Sequence, residues 1–110
     1  MTPVLRGDVW WVSLDPTQGA EIQKTRPCLV LTSDILNQFR QTVVVVPFST
    51  SARPNPPISV GVTCQGKPGV AIIDQIRAVS RQRLKSKIET ASPATLRSVE
   101  RALEQILELD

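Results

Sequence analysis

Thr42–Phe48, TVVVVPF, limits most sharply how this chain can fold. Its β-branched side chains are stiff at χ1 and favour extended backbone over helix. An apolar run without polar alternation belongs to a strand covered on both faces, which predicts a central strand. Pro47 has no N–H to give a neighbour, so pairing is expected to stop there. In 110 residues one such strand implies one core, and residues 1–110 read as a single small domain.

The other elements are short. Asp8–Leu14, DVWWVSL, reads as the first strand after the Gly7 break. Trp10, Val12 and Leu14 share one face of it, and Val9, Trp11 and Ser13 the other. The tryptophans could stack on bases, whereas a strand buried on both faces would put at least one of them in the core. Arg26–Thr32 is the second strand, and Ser33-Asp34 can cap a short helical turn running through Phe39. Ser49–Pro57, STSARPNPP, is a loop. Ile58–Thr63 reads as a strand, followed by a Gly66–Gly69 turn. Val70–Ile73 and Gln75–Val79 are two strands, or one bent at Asp74-Gln75, and Lys87–Glu89 is a brief last strand.

A helix closes the chain. Ser92 is a good N-cap, Pro93 suits the first helical position, and Leu96, Val99, Leu103 and Ile106 recur on one stripe that should dock on a sheet. Five to seven strands with one terminal helix predict a mainly β fold, a strongly bent antiparallel sheet that is closed or nearly closed.

Composition narrows the chemistry. Histidine and tyrosine are absent, which excludes Ser-His-Asp and Cys-His triads and the two-histidine ribonuclease site. Cys28 and Cys64 form no CxxC pair and read as small hydrophobes, not as a metal site. Any chemistry must come from Arg, Lys, Asp, Glu, Ser and Thr. Residues 1–92 carry 11 basic against 6 acidic side chains, a net of +5, with no acid between Ile35 and Ile73. That balance fits a polyanion such as nucleic acid, or simply a basic soluble protein. No apolar run approaches the ~20 residues of a membrane span, and no signal-peptide pattern opens the chain; a cytoplasmic protein is expected.

Gly19–Ser33, GAEIQKTRPCLVLTS, then carries the chemical interest. Pro27 pushes Arg26 toward extended backbone at a strand entrance, and the Cys28–Leu31 run anchors that entrance. A guanidinium held in this way keeps its charge at any working pH. If this strand neighbours Thr42–Phe48, Arg26 and the Ser49-Thr50-Ser51 hydroxyls can meet at one sheet edge and hold a phosphodiester. An ordinary loop of solvated charges is the plainer alternative.

At these residues the chain resembles the MazF/PemK family of toxins from type II toxin–antitoxin pairs. The likeness runs through RGDVWWVSLDP, G-A-E…K-T-RPCLVL, VVVVPFSTS and VAIIDQIRAVSRQRL, and it covers nearly the whole chain. It implies an SH3-like barrel of the PemK/CcdB type, a homodimer, and an endoribonuclease needing neither metal nor cofactor. Such an enzyme cuts single-stranded RNA at short sequences, using the RNA's own 2′-OH as nucleophile. The resemblance assigns catalytic roles to Arg26, to Ser49 with Thr50 beside it, and to Glu21 as a candidate base. Gly19, Ala20, Lys24, Arg53 and Gln75 become candidate RNA contacts. Ala20 stands where the family usually has serine, and Ser49 where threonine is commoner, so either Ser49 or Thr50 could supply the working hydroxyl. The motif alignment favours Ser49. A cognate antitoxin with an acidic, flexible tail is implied as the partner. Two other readings share the fold: a non-enzymatic CcdB-type toxin that binds DNA gyrase, and a barrel serving only protein interaction.

Overall fold

A computed structural model describes residues 3–109; Asp110 and the first two residues of the expected domain lie outside it. Seven strands form one antiparallel sheet: β1 (Asp8–Ser13), β2 (Thr25–Val30), β3 (Thr42–Ser49), β4 (Ser59–Cys64), β5 (Lys67–Ile72), β6 (Arg77–Ser80) and β7 (Leu84–Thr90). Two helices complete the fold, α1 (Asp34–Phe39) and α2 (Pro93–Ile106). The strand order is β4-β5-β3-β2-β1-β7, with β6 also paired to β3.

The valine run is central, as its composition predicts. On one edge β3 pairs with β2. On the other it pairs first with β6, along Thr42–Val45, and then with β5, at Phe48 and Ser49. Pairing with β2 reaches Pro47 opposite Cys28. The expected stop at Pro47 is therefore only partial, because Phe48 and Ser49 again carry N–H groups and β5 takes them up.

Three boundaries differ from expectation. The turn after β4 is Gln65-Gly66, not Gly66–Gly69. Both its residues have positive φ, 53° and 74°, the geometry of a two-residue hairpin, so Lys67–Gly69 already belong to β5. The Ile73–Gln75 stretch is a 3₁₀ turn, which makes β5 and β6 two strands rather than one bent strand. Finally, the brief strand expected at Lys87–Glu89 is seven residues long. β7 is an end strand whose Lys85 and Lys87 suit an exposed edge, and it pairs along β1 with two register shifts.

The bent sheet has a core on each side. Val9, Leu29, Val46, Phe48 and Ile73 pack against Val99 and Ala102 of α2, with Leu96, Leu103 and Ile106 around them. On the other side Trp10, Val12, Leu14, Cys28, Val30, Val43, Val45 and Val79 fill the barrel-like interior. Strand β1 thus feeds both cores, except at Trp11, which stays 38% exposed. Ser92 caps α2 by accepting from the Thr95 N–H at 3.1 Å, and Ser33 caps α1 by accepting from Leu36 N–H.

One buried carboxylate locks the start of the chain to the sheet. Asp8 is 1% exposed; its Oδ2 accepts from the Leu5 N–H at 2.9 Å and from Trp10 Nε1–H at 3.3 Å, while Oδ1 meets Lys87 Nζ at 3.2 Å. The buried Trp10 N–H and the part-buried Leu5 N–H matter more than the lysine, which solvent partly screens. Asp8→Ala strands both donors and is expected to cost about 2–3 kcal/mol. Calorimetry should show Tm lowered by several degrees for each kcal/mol in a domain of this size. An unchanged Tm would contradict this role.

Candidate active site

The site starts from backbone register. Cys28 pairs with Pro47, Leu29 with Val46 and Val30 with Val45. Continued outward by two residues, the same register sets Arg26 opposite Ser49, and residues directly opposed in an antiparallel pair share a face. On its other edge Arg26 pairs with Val12 and Pro27 with Trp11.

The loop before Arg26 is tied at both ends. Leu14 N–H donates to Lys24 O at 3.0 Å, and Lys24 N–H donates to Asp15 Oδ1 at 3.1 Å. Lys24 takes φ 74°, an uncommon conformation for a non-glycine residue, which the two bonds hold in place. Arg26 Nε donates to Gln23 O at 2.8 Å, so part of the guanidinium is fixed on the loop and its remaining donors are free to meet a ligand.

Past β3 the chain turns sharply around one hydroxyl. Ser49 is buried, and its Oγ accepts from the Ser51 and Ala52 N–H groups, both at 3.2 Å; Ser51 Oγ lies 3.3 Å away. With its acceptor capacity occupied by the turn, the Ser49 hydroxyl keeps one proton, whose nearest acceptor in the free protein is Ser51 Oγ and which a bound phosphate can take over. Thr50, next along, is exposed.

These residues line a cleft of about 550 Å³ between the β1–β2 ribbon and the β4–β5 hairpin. Lys24, Arg26, Ser49, Thr50 and Ser51 line it together with Trp11, Pro27, Cys64, Gln65 and Lys67. Three cations and no carboxylate line it, a composition that attracts an anion. Glu89 stands behind the hairpin, where both its carboxylate oxygens accept from the Gln65 N–H at 3.1 and 3.2 Å. Among the described residues no three Cys, Asp or Glu side chains converge on a point where a metal ion could be held.

The residues singled out in the sequence therefore divide. Lys24, Arg26, Ser49 and Thr50 share the cleft. Gly19, Ala20 and Glu21 lie on the exposed loop beside it, where Glu21 Oε1 accepts from the Gln18 N–H at 2.7 Å. Gln75 is half-buried, and its amide oxygen accepts from the Ile22 N–H at 3.3 Å, pinning that loop to the turn before β6. Arg53 is exposed, and only its backbone carbonyl is engaged, by the Ser59 hydroxyl. Sequence reading missed Gln65 and Lys67. A Gln-Gly pair between two short apolar runs is a hairpin signal, but nothing in it shows which cleft the hairpin closes.

The two thiols differ in setting. Burial pushes the Cys28 pKa up to about 12, against the pull of the nearby Arg77 and Arg26 guanidinium groups. Cys64 is also raised, by burial first and then by the Glu89 carboxylate.

Comparison with known proteins gives a consistent result. Residues 5–107 match the family described as PemK-like, MazF-like toxin of type II toxin-antitoxin system. The endoribonuclease EndoA of Bacillus subtilis is 32% identical over 111 residues, which span 96% of each chain. The crystal structure of MazF from Deinococcus radiodurans superposes with a TM-score of 0.88 at 24% identity, covering 98% of this chain and 99% of that one. A mycobacterial endoribonuclease in complex with its cognate antitoxin superposes with a TM-score of 0.81 at 24% identity, covering 97% of both chains.

The cleft geometry can be checked without any substrate. Under native conditions near pH 8, iodoacetamide should modify Cys64 slowly and Cys28 only after denaturation, because the thiolate is the reacting species. Peptide mass mapping reads this out. Equal labelling of both thiols in the folded protein would contradict the burial described.

Proposed function

The chain belongs to the PemK-like, MazF-like toxin family, and on that premise we propose that it is an endoribonuclease that cuts single-stranded RNA without a metal ion or other cofactor. The observation that carries the reading is that Arg26 and Ser49 line one cationic cleft whose walls hold no carboxylate. EndoA, a relative at 32% identity, is named an endoribonuclease.

The reaction is written for the RNA's own 2′-OH. Its oxygen attacks the neighbouring phosphorus, the bond from phosphorus to O5′ breaks, the leaving O5′ takes a proton from water, and the fragments carry a 2′,3′-cyclic phosphate and a 5′-OH. Negative charge grows on the non-bridging oxygens as the phosphorane forms. The free donors of Arg26 meet that charge, and the one available proton of Ser49 orients the same phosphate. Thr50, exposed at the cleft rim, contacts the adjoining nucleotide. Glu21 is the candidate that takes the 2′-OH proton. For this the Gly19–Lys24 loop must close inward and release the Gln18 N–H that Glu21 holds in the free protein. Lys24, Gly19, Ala20, Gln75 and Arg53 bind the strand on either side.

The rest of the reading follows the family. The 110 residues act as one domain in a cytoplasmic homodimer, and a cognate antitoxin lays an acidic segment over the basic cleft. The mycobacterial structure, solved with its own antitoxin, supports this choice of partner. No feature of the cleft favours a gyrase-binding toxin.

Purified protein incubated with a long RNA and excess EDTA tests the proposal. Cleavage should persist and leave 5′-OH ends, whereas 5′-phosphate ends or complete loss on chelation would overturn it. Arg26→Ala should slow cleavage on the order of 10²–10³-fold with circular dichroism unchanged. Arg26→Lys should recover little, because a point charge does not replace a fork of donors.

A further inference from the structure

Trp11 is the one exposed large apolar side chain among the residues that line the cleft. Its neighbours Trp10 and Val12 are 7% and 0% exposed, yet Trp11 keeps 38% of its surface open. The cause lies in what α2 covers. Val9 and Leu29, which pair and share Trp11's face, pack beneath that helix; Trp11 and its partner Pro27 lie two residues farther along and are left bare. The exposed ring is thus a wall of the cationic cleft rather than a scattered surface residue.

Its surroundings are rigid. Pro27, directly opposite across the β1–β2 ladder, has a fixed φ and no N–H, so nothing polar competes for the ring face. Gln65 and Lys67 of the β4–β5 hairpin line the same cleft, and Glu89 holds the hairpin turn through the Gln65 N–H. Arg26 pairs with Val12, the residue after Trp11, and Trp11 and Arg26 both line the cleft. A partly exposed aromatic ring in the same cleft as an anion-binding group fits a base attached to a bound phosphate. Such faces bind bases of any sequence.

We infer that Trp11 is the stacking platform for the nucleobase adjoining the phosphate held by Arg26 and Ser49. This rests on the ribonuclease reading and adds a base subsite to it. Trp11 sets affinity for single-stranded RNA and takes no part in proton transfer.

The chain has two tryptophans and no tyrosine, so its intrinsic fluorescence isolates the two indoles. The probe is a short mixed-sequence 2′-O-methyl RNA, which cannot be cut by 2′-OH attack; an abasic chain of the same length is the control. The RNA should quench emission from the wild type, and the abasic chain should not. Trp11→Ala should weaken RNA binding roughly 5- to 150-fold and raise KM far more than it lowers kcat on a cleavable RNA. Trp11→Phe should recover most of the affinity. Binding without quenching, or Trp11→Ala binding as tightly as wild type, overturns the stacking role while leaving the ribonuclease intact. A Trp11→Ala protein that sediments as a smaller species than wild type also overturns it, because the ring would then be covered by a second copy. A wild type that neither cuts nor binds RNA would defeat the ribonuclease reading itself.

Discussion

The site depends on the register between β2 and β3. Cys28 opposite Pro47 is a core contact, selected by the packing of valines, leucine and cysteine on the two strands. A slip by one residue would turn every one of those side chains to the wrong face. The same register, continued two residues past the last pair, sets Arg26 opposite Ser49, and both line one cleft. Core packing therefore aligns the polar groups, and the chemistry needs no separate device to bring them together.

The cleft opens because α2 is short relative to the face it covers. One end of that face, around Val9 and Leu29, is buried under the helix; the other, around Trp11 and Pro27, is not. The β4–β5 hairpin closes over the open half from the side and brings Lys67 and Gln65 with it. The result is a trough whose lining combines three cations, three hydroxyls of Ser49–Ser51 and one indole ring. The basic excess of residues 1–92 is thus partly gathered at one place: Lys24 and Arg26 from one stretch of chain and Lys67 from another line it together.

Elements defined by local chemistry were legible in the sequence. The valine run of β3 and the Ser92-Pro93 start of α2 each follow from a few adjacent residues. β7 was not fully legible: Leu84–Lys87 has no strand-like composition, and only the distant β1 makes it a strand. The pairing of Arg26 with the Ser49 end was visible because two short apolar strands, if neighbours, leave few registers. Glu21 shows the limit of that logic, for five residues from Arg26 along a loop does not mean facing the same cleft. Trp11 shows another. Alternation assigns a side chain to a face, but whether anything covers that face is decided by a helix more than 80 residues away.

The central claim is that Arg26 and Ser49 act on one phosphate. Its most direct test is a double-mutant cycle on single-turnover RNA cleavage, comparing Arg26→Ala, Ser49→Ala and the double variant, each confirmed folded. If both groups serve the same transition-state charge, the double variant should be little slower than the slower single variant, as happens for residues that act as a unit. Losses that multiply independently would place the two groups on separate tasks and contradict the account.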